Sequence, residues 1–180
     1  MRPDTATTLH GERLDLVPLR PEHAEEMAAA LADPALHAFT GGTPDDADAL
    51  RTRYARLAAG SPDPAETWGN WALRLHDGGR LAGYVQATVR GDTAELAWVV
   101  GTPWQGRGLA TEAARRLLTH LTGSGITTVT AHIHPDHHAS AAVARSLGLT
   151  PTTEQQDGET RWQTPTGPAP APPRNAAPTR

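Results

Sequence analysis

From Glu95 to Ala113 the chain reads Glu95-Leu96-Ala97-Trp98-Val99-Val100-Gly101-Thr102-Pro103-Trp104-Gln105-Gly106-Arg107-Gly108-Leu109-Ala110-Thr111-Glu112-Ala113. A half-buried strand pattern gives way to a tight basic loop, then to the first turn of an amphipathic helix. Gly106 and Gly108 let the backbone bend sharply where other residues would resist. Such a loop turns several backbone N–H groups, together with a helix N-terminus, toward one point in space. That is the geometry of a phosphate or pyrophosphate site.

Three loop chemistries compete for this stretch. A P-loop ends in Gly-Lys-Ser/Thr, and all 16 basic side chains of this chain are arginines, so no lysine is there to supply it. A dinucleotide fingerprint needs a third glycine where Thr111 stands, and it belongs near the start of alternating strands and helices. The third pattern, Gln/Arg-x-x-Gly-x-Gly/Ala opening a helix, is met by Gln105-Gly106-Arg107-Gly108-Leu109-Ala110.

A second group with chemical potential is His132, His134, His137 and His138. His132 and His134 fall on one face of an expected strand, a spacing that can serve a metal. Asp136 is the only carboxylate nearby and there are no cysteines. The expectation is therefore no metal, with the histidines lining a cleft where one relays protons near neutral pH.

These groups are positioned by an ordered set of elements. Residues 13–18 alternate as a first strand. Pro21 opens a helix with Glu22, Glu25 and Glu26 in its early turns, and Asp33-Pro34 stops it. A second helix is expected over 44–59. Turn signals at Asp77-Gly78-Gly79 and Gly91-Asp92 divide strands at 71–75, 81–89 and 94–100 into an antiparallel meander. The helix after the glycine loop carries Leu109, Ala110, Ala113, Ala114, Leu117, Leu118 and Leu121 as one apolar stripe. A β-branched strand at 127–133 follows, parallel to the one before the helix. A short helix at 140–147 and a weak strand or hairpin at 152–164 complete the pattern. Trp71 and Trp98 fall on strands as core residues, and Trp104 packs under the loop.

The whole reads as a single domain over 1–164 with a Pro/Ala-rich tail at 165–180 expected to be disordered. The net charge of −4 disfavours nucleic acid and anionic membrane as partners. Absence of cysteine excludes disulfides, thiolate-zinc sites and cysteine nucleophiles. With no apolar run of membrane-spanning length and no signal-peptide core, the expected compartment is the cytoplasm.

The chain resembles the GNAT superfamily of acyl-CoA-dependent N-acetyltransferases, and within it the ribosomal-protein-acetyltransferase-like (RimJ/RimL-type) branch. The resemblance runs over about 9–163. It rests on Glu95-Leu96-Ala97-Trp98 with the loop run to Ala113, on Pro135-Asp136-His137-His138-Ala139-Ser140 with Leu147-Gly148-Leu149, and on Glu12-Arg13-Leu14-Asp15-Leu16 with Leu19-Arg20-Pro21. It implies an α/β (α+β) fold: a central mixed, mostly antiparallel sheet of six to seven strands, a splayed parallel pair at its centre, and about four helices.

It also implies roles. Backbone amides around Gln105, Gly106, Arg107, Gly108, Leu109, Ala110 and Thr111 would cradle the pyrophosphate of acetyl-CoA. Arg107 adds charge there or stays a solvated loop arginine. The edge at Trp98, Val99 and Val100 would pair with the pantetheine arm. Glu95 would be the base that strips the attacking amine, or a surface carboxylate. Ser140 would protonate the departing thiolate, or only cap a helix. Ala144 replaces the tyrosine acid of other branches. His137 stands where the branch has asparagine, which puts its CoA contact in doubt. A backbone N–H near Val99 or Val100 would serve the oxyanion. His37 and Phe39 lie where such proteins build the acceptor pocket.

Two readings follow. One is an acetyl-CoA-dependent N-acetyltransferase acting on a primary amine (a protein N-terminus, amino acid, polyamine or small molecule) in a ternary complex, as monomer or homodimer. The other is a non-catalytic acyl-CoA-binding sensor or partner-binding module.

Overall fold

The computed structural model describes residues 2–39 and 41–165. In chain order the elements are β1 (Leu9–His10), β2 (Leu14–Pro18), α1 (Ala24–Ala30), α2 (Ala47–Ala58), β3 (Glu66–Leu75), β4 (Leu81–Arg90) and β5 (Thr93–Val100). There follow α3 (Leu109–Gly123), β6 (Thr128–Ile133), α4 (His138–Ser146), β7 (Thr150–Gln156) and β8 (Glu159–Gln163). Short 3-10 turns at Pro21–His23, Pro34–His37 and Thr102–Trp104 fill the joints.

All strands join one sheet in the order β1-β2-β3-β4-β5-β6-β8-β7. Every pairing is antiparallel except β5 with β6, which α3 connects as a crossover. Side chains of successive strand residues alternate between faces. One face carries Trp71, Leu73, Val85, Leu96 and Val100, and buries the apolar stripe of α3 and the inner side of α4. The opposite face is covered only at one end, where Met27 of α1 with Leu50 and Tyr54 of α2 pack near Ala72 and Leu81. The rest of that face, across β4 and β5, is open.

The parallel pair is short. β5 and β6 share only the rungs Thr93↔Thr128, Ala94↔Val129 and Glu95↔Thr130. Beyond Glu95 the strands part, and β6 gives its other edge to β8. Gly83 helps hold β5 in place against β4. Its φ is +152°, and a β-carbon there would stand 2.0 Å from the Val99 carbonyl oxygen. Only glycine tolerates both.

Several expectations need correction. The sheet has eight strands, because β1 is too short to show a period and 150–163 form two strands around Asp157-Gly158. β7 is polar and holds Pro151, as edge strands tolerate. β3 begins at Glu66 rather than at residue 71. α2 starts at Ala47, where the Asp46 carboxylate accepts from the Ala49 N–H at 2.8 Å. α4 starts at His138. β6 ends at Ile133, so His134 lies past the strand and does not share a strand face with His132. The tail expected to be disordered lies, apart from Pro165, outside the described residues.

Candidate active site

The glycine loop forms as its residue types require. Gly106 and Gly108 both hold left-handed backbone, with φ of +72° and +75°, and Gly108 is the N-cap of α3. The first helical hydrogen bond runs from the Glu112 N–H to the Gly108 carbonyl. No backbone N–H from Gly106 to Thr111 has a partner among the described residues. These unsatisfied donors and the positive end of α3 make a cradle that fits a pyrophosphate. The Arg107 guanidinium is exposed beside it.

Residues far away in sequence brace the loop. Arg13, at the start of β2, donates from Nε to Glu112 at 2.7 Å and from Nη1 to the Arg107 carbonyl at 2.7 Å. Its backbone N–H also bonds Glu112, at 2.8 Å. Burial pushes the Glu112 carboxyl up, but these Arg13 contacts outweigh it and hold it below the ordinary value. Gln105 donates from Nε2 to the Val100 carbonyl at 2.9 Å, fixing the exit of β5.

The parting of β5 from β6 leaves a strand edge exposed. The Gly101 N–H bonds the Ala82 carbonyl, and the Val99 carbonyl lies against Gly83. Odd-numbered residues of β5 therefore direct their backbone groups to β4, and even-numbered ones to the opening. Trp98 and Val100 face it through their backbone. Val99 instead presents its side chain, on the open face of the sheet. Trp98's side chain is half-buried against the α3-side core, and Trp71 is fully buried in it.

Glu95 stands at the last shared rung, the apex of the opening. Its Oε1 lies 2.9 Å from His132 Nδ1 on β6. The Glu95 side chain is 52% exposed and that of His132 only 16%, so the pair has one wet and one sheltered member. Past the end of β6, the His137 ring caps α4 by accepting from the Ser140 N–H at 3.1 Å. The cap is therefore His137, and the Ser140 hydroxyl is not engaged as one. Phe39 packs on His137 and His134, ring centroids 4.5 and 5.2 Å apart. Among the described residues no three of these groups converge on a metal position.

Two hollows lie on the open face of the sheet. A polar one of about 340 Å³ holds Glu95, His132, Thr88, Thr130 and Arg90. The other, about 420 Å³, lies between α1–α2 and β4–β5, with His37, Tyr54, Tyr84 and Val99 in its walls. Ala97, the small residue between Glu95 and Val99 on that face, separates them. Phe39 does not line either hollow; it bridges to the β6–α4 loop.

Sequence reasoning missed Arg13, Glu112 and Tyr54, and it missed the partner of His132. Arg13 and Glu112 were both in recognised motifs, but nothing in spacing joins residues 99 positions apart. His132 was singled out, yet its partner depended on the β5–β6 register. Tyr54 sits in an arginine- and alanine-rich helix with no chemical pattern around it.

The family described as "Acetyltransferase (GNAT) domain" matches residues 13–150. No curated protein sequence matches the chain. Among solved structures, Mycobacterium smegmatis RimJ in complex with CoA-disulfide superposes with a TM-score of 0.74 at 18% identity, covering 91% of this chain and 89% of that one. RimL, the ribosomal L7/L12 alpha-N-protein acetyltransferase in complex with coenzyme A, gives 0.72 at 16% identity, covering 87% and 97%. An acetyltransferase from Agrobacterium tumefaciens gives 0.71 at 24% identity, covering 91% and 96%. These likenesses show the shared fold, and the family match extends over most of the chain, through β2, the bracing arginine, the open edge, the glycine loop and α4. The chain belongs to the GNAT family of acetyltransferases, enzymes that draw the acetyl group from acetyl-CoA.

Proposed function

We propose that this acetyltransferase moves the acetyl group to a primary amine bound on the open face of β4 and β5, by direct attack with both substrates in place. The observation that carries the reading is the placement of Glu95. Its carboxylate stands at the apex of an open strand edge whose far end runs into the cradle of free N–H groups.

In this reading the amides from Gly106 to Thr111, with Gln105 and Arg107 beside them, hold the pyrophosphate. The backbone of Trp98 and Val100 pairs with the pantetheine amides as a surrogate strand. The Val99 side chain forms a wall of the acceptor side, and His137 lies along the arm. Acetyl-CoA supplies a thioester, already activated for attack. The protein must then manage protons. Glu95 takes one from the ammonium, directly or through water, and His132 holds its carboxylate in place. The Val100 N–H faces the opening and donates to the oxygen that gains charge during attack. Ser140 gives a proton to the leaving sulfur. The reading places the protein in the cytoplasm, as a monomer or homodimer, with neither nucleic acid nor membrane as partner.

The test is thiol release from acetyl-CoA with a panel of amines. Glu95→Gln is expected to lower kcat by about 10²–10⁴ and to leave acetyl-CoA affinity unchanged. Silence of the unaltered enzyme with every amine, despite tight CoA binding, would overturn the catalytic reading in favour of a binding module.

A further inference from the structure

The hollow between α1–α2 and β4–β5 differs in kind from the one around Glu95. Five leucines line it, among them Leu19, Leu31, Leu50 and Leu57, together with Val99 and the rings of Tyr54 and Tyr84. Its two charged residues, Asp45 and Arg53, approach each other at 3.5 Å, so neither sign is in excess. Tyr54 also lines it, 3% exposed, and its buried hydroxyl has no hydrogen-bond partner among the described residues. Burial holds this phenol far above its ordinary value, with nearby Tyr84 adding to the effect, so it remains a neutral donor. Buried hydroxyls without a partner are rare in native proteins, and each calls for an explanation.

The hollow is also in reach of the chemistry. From Glu95 to Val99 is four strand residues, about 13 Å. Ala97 leaves the floor between them low. An amine held above Ala97, about 7 Å along the strand from each, can reach Glu95 through water on one side and send a side chain into the hollow on the other. A polyamine would find no surplus of carboxylates there.

Resting on the acetyltransferase reading above, we infer that this hollow is the specificity pocket for the acceptor. It selects an amine whose α-carbon bears an uncharged, largely apolar group of leucine to tyrosine size, and where that group carries an oxygen, as a phenol does, Tyr54 donates a hydrogen bond to it. The shared chemistry belongs equally to a peptide N-terminus and to a free amino-acid derivative.

The experiment compares kcat/KM for tyrosinamide, phenylalaninamide, leucinamide, glycinamide and spermidine, then for the dipeptides Tyr-Ala and Gly-Ala. Tyrosinamide is expected to exceed phenylalaninamide about tenfold, the effect of one buried hydrogen bond. Glycinamide and spermidine are expected at least about tenfold below leucinamide. A dipeptide advantage over the amide assigns the pocket to peptide N-termini, and parity assigns it to free amines; either outcome supports the pocket. Tyr54→Phe is expected to erase the tyrosinamide preference while leaving thermal stability equal or higher, since it removes an unpaired buried hydroxyl. Leu57→Trp, on the partly exposed rim, is expected to depress leucinamide turnover and spare glycinamide. Spermidine preferred over leucinamide, or a tyrosinamide ratio untouched by Tyr54→Phe, would overturn the pocket assignment alone. Failure of every amine to release thiol, while acetyl-CoA still raises Tm, would overturn the catalytic reading and this inference with it.

Discussion

The Arg13 guanidinium meets the Glu112 carboxylate at 2.7 Å, joining residues 99 positions apart. The same guanidinium holds the Arg107 carbonyl. One arginine thus ties the start of β2 to the first turn of α3 and to the middle of the glycine loop. Glu112 sits where a free carboxylate would compete with an incoming pyrophosphate for the helix end. Pairing with Arg13 neutralises that charge and converts it into a brace. Gly11 makes room for the arrangement, since a β-carbon there would stand 2.9 Å from Glu112 Oε1.

Loss of the brace should loosen the cradle more than the fold. Arg13→Ala and Glu112→Gln are each expected to weaken CoA binding about tenfold in calorimetry. The double variant should lose little beyond either single one, a coupling of about 1 kcal/mol. Fully additive losses would mean that the two side chains act separately.

The same pair makes an acid-sensitive contribution to stability. Glu112 binds its proton less readily in the folded protein than its ordinary value of 4.5. Its contribution is therefore complete above about pH 4.5 and is lost as pH falls through the depressed folded value. Tm measured from neutrality downward should fall less steeply in that window for Glu112→Gln than for the unaltered protein. Parallel curves would remove Glu112 from the acid response.

In the proposed mechanism His132 acts through the Glu95 carboxylate that it contacts. His132→Ala is expected to lower kcat about tenfold, less than Glu95→Gln does, with KM for acetyl-CoA unchanged. His132→Gln, whose amide can still donate to the carboxylate, should restore part of the loss. Equal damage from both His132 variants, accompanied by falling Tm, would make the contact merely structural.

Gly83 offers a test of how firmly the open edge is held. Gly83→Ala forces a β-carbon onto the Val99 carbonyl at positive φ. A loss of about 1–3 kcal/mol in urea unfolding is expected, together with weaker CoA binding as β5 shifts. Unchanged stability would show that β4 and β5 can part at this point without cost.

The sequence was most readable where one short stretch contains both the pattern and its cause. The meander, the α3 stripe and the left-handed glycines of the loop are local, and each was foreseen from neighbours within a few residues. What escaped depends on register between distant strands. The Glu95–His132 contact exists because Glu95 pairs with Thr130, two residues before His132. Ser140 as a helix cap was a sound local expectation, but His137 reaches the same N–H first. The polar β7 gave no period because little of it is buried. Val99 and Val100 look alike as letters; only the ladder's parity decides which one turns its backbone to the opening.

The parting of β5 and β6 has a thermodynamic consequence. A sheet ordinarily satisfies its interior strands with its own chain, yet here the backbone of Trp98 and the N–H of Val100 face an opening in the middle of the sheet. Folding by itself stops short of completing the hydrogen-bond ladder, and in the proposed binding mode a peptide-like arm supplies what is missing. Folding and loading then become one linked equilibrium: a ligand at a hundred times its Kd adds about 2.7 kcal/mol to stability. The seam should be the region of β5 that exchanges its amide protons soonest in the free protein, and the region most protected once acetyl-CoA arrives. The protein's resistance to unfolding would then track the supply of its own substrate.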